Sequence, residues 1–447
     1  MNKIVVFTAA LLLLAGFVFA GGGQEEAPEP VMEAAEEAPA APTPEEGGKY
    51  VPDKKVELRF WHSYSGYSER LFKGFVDEFE KANPKIKIKL EYAGNLWTMR
   101  DKILTAIAGG AAPDIAEIDS YWTPIFAEGG ALVDMEPYMA RPGYNKDDLQ
   151  MPSLISTQYN GRSYSIPFNL SNIVLYYNKK YFEEAGLDPE APPQTWEEVY
   201  EYGKMLTVDQ NGDGVPERWG LGCPLKADYG AIWYWLALFW QQGGELFNEA
   251  QTEGTFNSEA GVAATNIWRR MVHEEKILSL SQGWSDFESG ITAMDMASSS
   301  SLARRRENMG SAAVGIALLP AGKQRASVSG GGNLAMFSNC VDKEAAWEFL
   351  KWVGSTEITR RWSIATGSIP VRKSAAAAPE YKDYLLKDPR NAIAGEGIEF
   401  TRVRPNIPEY GDASRIIAYA AEEAVFKNVD PKPLLDKAKV DVDALFE

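Results

Sequence analysis

Tryptophan, serine and glycine, rather than histidine or cysteine, carry the chemistry in this sequence that a small molecule can use. Trp233 and Trp235 stand together in Ala231-Ile232-Trp233-Tyr234-Trp235, with Trp240 and Trp284 farther along. Indole faces pack on the C–H surfaces of sugars while placed donors and acceptors take the hydroxyls, so such residues suit a carbohydrate wall. Each of them taken singly reads more readily as core, while at least one of the four is expected in the cleft. Ser298-Ser299-Ser300-Ser301 and Ser329-Gly330-Gly331-Gly332-Asn333 are rich in hydroxyls and in backbone that a ligand can approach closely. Stretches of this composition also serve as plain loops.

Catalytic signatures are few. The two histidines, His62 and His273, lie in no HExxH, and the sequence has no CxxC and no GxSxG elbow. The glycine run lacks the Lys-Ser/Thr of a phosphate-binding loop, which argues against nucleotide chemistry. A secreted carbohydrate-active hydrolase needs only two carboxylates and is the rival class, because 63 acidic residues leave it formally open. Asp209, Asn211 and Asp213 occupy positions 1, 3 and 5 of a calcium-type loop with Gly214 at position 6, but position 12 is Gly220 instead of a bidentate Glu. An Asx/Gly turn is the favoured reading of that segment, with calcium a weak candidate. No cofactor is expected.

The elements that would position these residues alternate. Val56 to Trp61 reads as a strand, Leu71 to Glu80 as a helix stopped by Asn83-Pro84, and Ile86 to Leu90 as a second strand. A helix over 99–108 ends at Gly109-Gly110 and leads into a strand over 115–119. Asn172 to Asn178 starts a second unit, and Thr195 with Glu198 forms a capping box. Residues 268–272 and 345–352 read as helix, 314–320 and 334–337 as extended chain. This α/β alternation predicts a mostly parallel sheet with the ligand site at the carboxyl ends of its strands. Ser63, Tyr64, Asp119 and Ser120 stand at that rim, whereas Phe60 and Ile115 are core.

Compartment and size follow from the rest. Met1-Asn2-Lys3, an apolar run from Ile4 to Phe19 and the exit Val18-Phe19-Ala20 read as a signal peptide cleaved after Ala20. Gly21-Gly22-Gly23 stands where a lipoprotein would carry cysteine, so the protein is expected in the periplasm without a lipid anchor. Residues 21–50 form an acidic Ala/Pro/Glu linker with too little apolar surface to fold. The formal charge of −18 leaves about −12 on residues 51–447, which makes a nucleic-acid partner a poor fit. Nearly 400 residues exceed one core and predict two domains. Cys223 and Cys340 are 117 positions apart, and their pairing is open.

Phe60-Trp61-His62-Ser63, Pro167-Phe168-Asn169, Val174-Leu175-Tyr176-Tyr177-Asn178 and Ala185-Gly186-Leu187-Asp188-Pro189 running into Pro193-Gln194-Thr195-Trp196 carry a resemblance. Ala297-Ser298-Ser299, Gly330-Gly331 and Gly367-Ser368-Ile369-Pro370 add to it. The chain resembles family 1 extracellular solute-binding proteins of carbohydrate-type ABC importers over about residues 56–438. The resemblance implies a two-lobed periplasmic binding protein fold (type II, maltose-binding-protein-like) with interrupted lobes. The expected first lobe is 51–167 plus 294–332 and the second 168–293 plus 333–447, with hinge crossings near 166–171, 293–298 and 330–333. It further implies a monomer that closes on its ligand and docks on ABC permease subunits, without covalent chemistry.

Compared with the family's glycerol-phosphate binders, Ser171, Ser298, Gly331 and Arg415 match, while Leu96, Ser120 and Ser368 depart. Asp119-Ser120-Tyr121-Trp122 is more like the sugar binders, and a carboxylate there would repel an anion. A sugar is therefore the expected ligand, with sn-glycerol-3-phosphate or a glycerophosphodiester as the alternative. The implied contacts are Ser63, Tyr64, Asp119, Ser120, Asn169, Ser171, Trp233, Trp235, Trp284, Ser298, Gly331, Asn333 and Arg415.

Overall fold

Alternating apolar residues make Val56–His62 (β1) and Ile86–Tyr92 (β2) neighbours in parallel, Val56 opposite Ile86, with Leu58, Phe60, Ile86 and Ile88 turned into the core. The helix Gly66–Ala82 between them buries Phe72, Phe75, Val76 and Phe79 and stops at Asn83, ahead of Pro84. Ile115–Asp119 (β3) lies on the far side of β1. Gln158–Tyr159 (β4) and Arg162–Ser163 (β5) form a small hairpin whose two linking residues, Asn160 and Gly161, both adopt positive φ, the conformation a tight hairpin turn requires. Residues 49–281, 283 and 285–447 are described in this computed structural model. The expected signal peptide, most of the acidic linker and Trp284 fall outside them.

The remaining strands are Ile166–Pro167 (β6), Ser171–Asn178 (β7), Trp219–Gly222 (β8), Thr292–Ser298 (β9), Val314–Leu318 (β10), Ser327–Gly330 (β11), Gly332–Met336 (β12) and Thr401–Arg402 (β13). They form two main sheets. The first runs β2-β1-β3-β12-β6, and the second runs β13-β11-β7-β9-β8 with β10 also paired to β7. Helices cover both, and each sheet has its own core. One core gathers Phe60, Phe72, Phe79, Trp347, Phe349 and Trp362. The other gathers Leu175, Trp196, Trp235, Trp268 and Ile417. Each sheet with its helices constitutes a lobe.

Strand pairing corrects the expected lobe membership. The sequence places residues 294–332 in the first lobe, yet β9 pairs with β7 and β8, and β10 and β11 also pair with β7, all in the second sheet. The sequence places residues 333–447 wholly in the second lobe, yet β12 pairs with β3 and β6, and Trp347, Phe349 and Trp362 pack in the first core. No crossing lies at 293–298, because β9 is continuous there. The chain passes between lobes from β6 to β7, from β11 to β12, and between Ser374, bonded to Asp148, and Asp388, paired with Arg306. Cys223 and Cys340 belong to the second and first cores respectively, so separation answers the question of their pairing.

Candidate functional site

The carboxyl end of β3 and both strand crossings converge on one cavity of about 260 Å³ that is partly open to solvent. The first lobe contributes Glu117 and Asp119 from β3. Alternation puts these two side chains on the same face of the strand. The second lobe contributes Ser171 at the start of β7, Asp295 to Ser298 at the end of β9, and Trp233 and Tyr234 from the helix Ala231–Gln241. Gly330, Gly331 and Gly332 complete the wall. Gly331 has φ of +124°, and a Cβ there would lie 1.9 Å from the Asn169 carbonyl oxygen, so only glycine lets the two crossing segments touch. A Cβ on Gly332 would come within 2.9 Å of Glu117 Oε1, which exposes backbone beside that carboxylate.

Each arginine of the wall is paired with a carboxylate, whereas Glu117 is held by serine donors. Arg404, 5% exposed and delivered by the irregular segment after β13, pairs with Asp119 and donates to Ser120 Oγ at 2.6 Å. Its guanidinium lies 4.4 Å from the centre of the Tyr121 ring. Arg305 pairs with Asp295 and stacks over Tyr176 at 4.2 Å, while Arg304 pairs with Glu288. Ser63 holds Glu117 by donating both its backbone N–H (2.8 Å) and its Oγ (2.7 Å) to Oε2. Burial pushes the Glu117 carboxyl up to about 7, against the lowering effect of the two Ser63 donors. Burial likewise raises Asp295 to about 6, opposed by Arg305. Trp233 donates its indole N–H to the Ser329 carbonyl at 3.1 Å, fixing its ring against the cavity. Ser298 and Ser300 share a hydroxyl contact of 2.8 Å, and Trp362 donates to Asn169 Oδ1 at 3.3 Å.

Of the residues singled out by sequence, Asp119, Asn169, Ser171, Trp233, Ser298 and Gly331 line this cavity. Ser63 and Ser120 stand behind it, bonded to Glu117 and to Arg404. Four others lie elsewhere. Tyr64 is in the first core, its ring 5.3 Å from that of Trp362. Trp235 is fully buried in the second core, stacked on Phe239 at 4.8 Å with its N–H on Thr265 Oγ1 at 2.9 Å. Asn333 is buried and donates to the Ser156 carbonyl at 2.9 Å. Arg415 is half exposed, 3.9 Å from Asp101 and away from the cavity wall.

Sequence reading missed Glu117, Asp295, Arg304, Arg305 and Arg404. The first two had a visible mark, each being a charge inside an otherwise apolar strand. Arg304 and Arg305 follow directly on the serine run. Arg404 had no mark at all, since it lies in irregular chain. In the loop 209–214, Asp209 accepts from the N–H groups of Gly212 (2.7 Å) and Gly214 (2.9 Å), and Asn211 from that of Asp213 (2.8 Å). This is Asx-turn bonding. Among the described residues no group of three or more His, Cys, Asp or Glu side chains is placed to hold a metal ion.

The geometry has counterparts. The sn-glycerol-3-phosphate-binding periplasmic protein UgpB of Salmonella typhimurium is 27% identical over 352 residues, 75% of this chain and 79% of that protein. UgpB of Mycobacterium tuberculosis, solved in complex with glycerophosphocholine, is 27% identical with a TM-score of 0.77, covering 87% of this chain and 98% of that one. The cyclic α-maltosyl-1,6-maltose binding protein of Arthrobacter globiformis is 26% identical with a TM-score of 0.71, covering 88% and 99%. The two solved structures share the fold of this chain over most of its length. The family model for bacterial extracellular solute-binding proteins matches residues 65–359, well over half of the sequence, and the chain belongs to that family.

Proposed function

We propose that this protein is the exported solute-binding component of an ABC importer and that it encloses a neutral mono- or oligosaccharide between its lobes for delivery to the permease. The observation that carries the ligand class is charge balance in the cavity. Asp119 with Arg404 and Asp295 with Arg305 are matched pairs, so the wall offers a sugar hydroxyl both donors and acceptors without a surplus of positive charge for a phosphate dianion. Trp233 supplies the apolar face, Ser171, Ser298 and Asn169 the neutral hydrogen-bonding groups, and the Gly331 backbone a close approach. The same pairing ties up two of the acids that a hydrolase would need uncommitted, which supports binding without catalysis. Periplasmic residence agrees with the printed name of the Salmonella relative.

A glycerophosphodiester is the second reading. It draws on the M. tuberculosis relative and on Arg304, whose side chain is 39% exposed at the cavity wall. Thermal-shift screening against neutral sugars, sn-glycerol-3-phosphate and glycerophosphocholine separates the two. Stabilisation by sugars is expected. Stabilisation by the phosphate compounds with no response to any sugar would overturn the first reading, and release of hydrolysed sugar would overturn the assignment as a binding protein.

A further inference from the structure

Four acids stand in or directly behind the wall of the ligand cavity, and three of them face an arginine: Asp119 pairs with Arg404, Asp295 with Arg305 and Glu288 with Arg304. Glu117 is the exception. It lines the cavity at 3% exposure and, among the described residues, has hydrogen-bond donors but no ion-pair partner. Were all of these groups ionised, the wall would hold one negative charge that no cation offsets, in a place where burial makes such a charge costly. A proton on Glu117 removes that cost.

Local geometry decides which oxygen carries it. Ser63 donates its N–H (2.8 Å) and its Oγ (2.7 Å) to Oε2, and no hydrogen bond from the described residues reaches Oε1. Oε1 lies against the glycine crossing, where a Cβ on Gly332 would come within 2.9 Å of it, so the fold keeps that side of the carboxyl clear of side chain. None of the ionisable groups around it supplies a compensating charge. Tyr64, from the turn after β1, has its phenol pushed well above its ordinary value by burial, and Asp119 on the same strand adds negative charge. The register of β1 on β3 carries His62 to the level of Glu117, and burial lowers that imidazole's affinity for a proton, which leaves it neutral above its ordinary value of 6.5. Residues 332–336 of β12 have no ionisable side chain, and Arg404 is committed to Asp119 and Ser120. Burial accordingly holds the Glu117 carboxyl up to about 7. Since Oε2 already accepts two bonds, its proton sits on Oε1.

We propose that Glu117 is a ligand-contacting residue which, as the neutral acid, donates from Oε1 to an oxygen of the bound sugar, so that capture is coupled to proton uptake. The inference rests on the sugar reading above and adds a specificity determinant to it: ring and glycosidic oxygens accept but do not donate, and the acid supplies the donor they need. The contact favours the protonated form, so affinity is full at low pH and falls as the pH rises through the value of the free carboxyl. Isothermal titration of the full protein with D-glucose, D-xylose, maltose, cellobiose and trehalose, at pH 6, 7 and 8 and in buffers of different ionisation enthalpy, is the test. For the sugar that binds, affinity is expected to be about fivefold or more weaker at pH 8 than at pH 6, with proton uptake at pH 8 that fades toward pH 6. Asp295, raised by burial to about 6, titrates at the lower edge of this range, and a variant assigns the effect. Glu117→Gln, which keeps a donor in place of the acid, is expected to abolish both the pH dependence and the buffer dependence. Ser63→Ala removes one donor from Oε2 and is expected to move the fall in affinity to higher pH. An affinity flat from pH 6 to 8, one that strengthens as the pH rises, or a dependence that persists in Glu117→Gln overturns the role of Glu117 and leaves the sugar reading standing. Silence from every sugar at pH 6 beside binding of glycerophosphocholine overturns both.

Discussion

Asp119 and Arg404 come from opposite lobes and meet where water is excluded, so each is tolerable only because the other is there. Removing one partner of such a pair strands a buried charge, at a cost of about 3–5 kcal/mol. Arg404→Gln is therefore expected to lower stability in chemical denaturation by roughly that amount, while Asp119→Asn/Arg404→Gln recovers a large part of the loss. Equal losses in the single and double variants would show that the pair is not coupled. Glu117 gives a test in pH. Its carboxyl holds its proton up to about 7 against an ordinary value of 4.5, so between those values the folded state binds more protons than the unfolded. Its contribution to stability is accordingly full below pH 4.5 and is lost as the pH rises through 7. Glu117→Gln should raise the melting temperature at pH 8 and lose that advantage by pH 4.5, with melts across this range as the measurement. The acids of this site stand inside apolar strands and could be found by looking there. The failure with Trp235 has a different cause: in a helix buried on every side, sequence does not say which indole meets the cavity and which meets Thr265.

The crossing of β11 into β12 fixes the site's geometry at the level of elements. Gly331→Ala forces a side chain into positive φ and against the Asn169 carbonyl, so the strain alone costs roughly 1–3 kcal/mol. The variant is expected to melt lower and to lose ligand affinity, whereas unchanged binding would mean that the close approach does not shape the cavity. At the loop 209–214, backbone N–H groups already occupy Asp209 and Asn211, and calcium is expected to leave the melting temperature unchanged. Local elements were largely readable from the sequence. The helix Trp196–Leu206 begins with the capping box that Thr195 and Glu198 announced, β1 and β2 fall where alternation put them, and β3 and β7 fall where the sequence placed further strands. Lobe membership was not readable, because β9 and β12 have the same apolar character and only long-range pairing decides which sheet each joins.

For the molecule as a whole, the two cores share no sheet and the ligand cavity lies between them, walled by both. A ligand that contacts both walls must favour the closed arrangement by its differential affinity, which is the physical content of capture by closure. The same linkage stabilises the fold by about 2.7 kcal/mol at a ligand concentration one hundred times Kd. The net acidity of residues 51–447 makes a nucleic-acid partner a poor fit and leaves recognition to the charges of the cleft. Calorimetric titration of the wild-type protein and of Ser298→Trp, with the sugar that thermal screening selects, tests the central claim most directly. One ligand per chain in the wild type, and none in a folded Ser298→Trp whose indole fills the cavity, is the expected result. Undiminished binding in Ser298→Trp would contradict it, because the ligand would then lie outside the interlobe cavity.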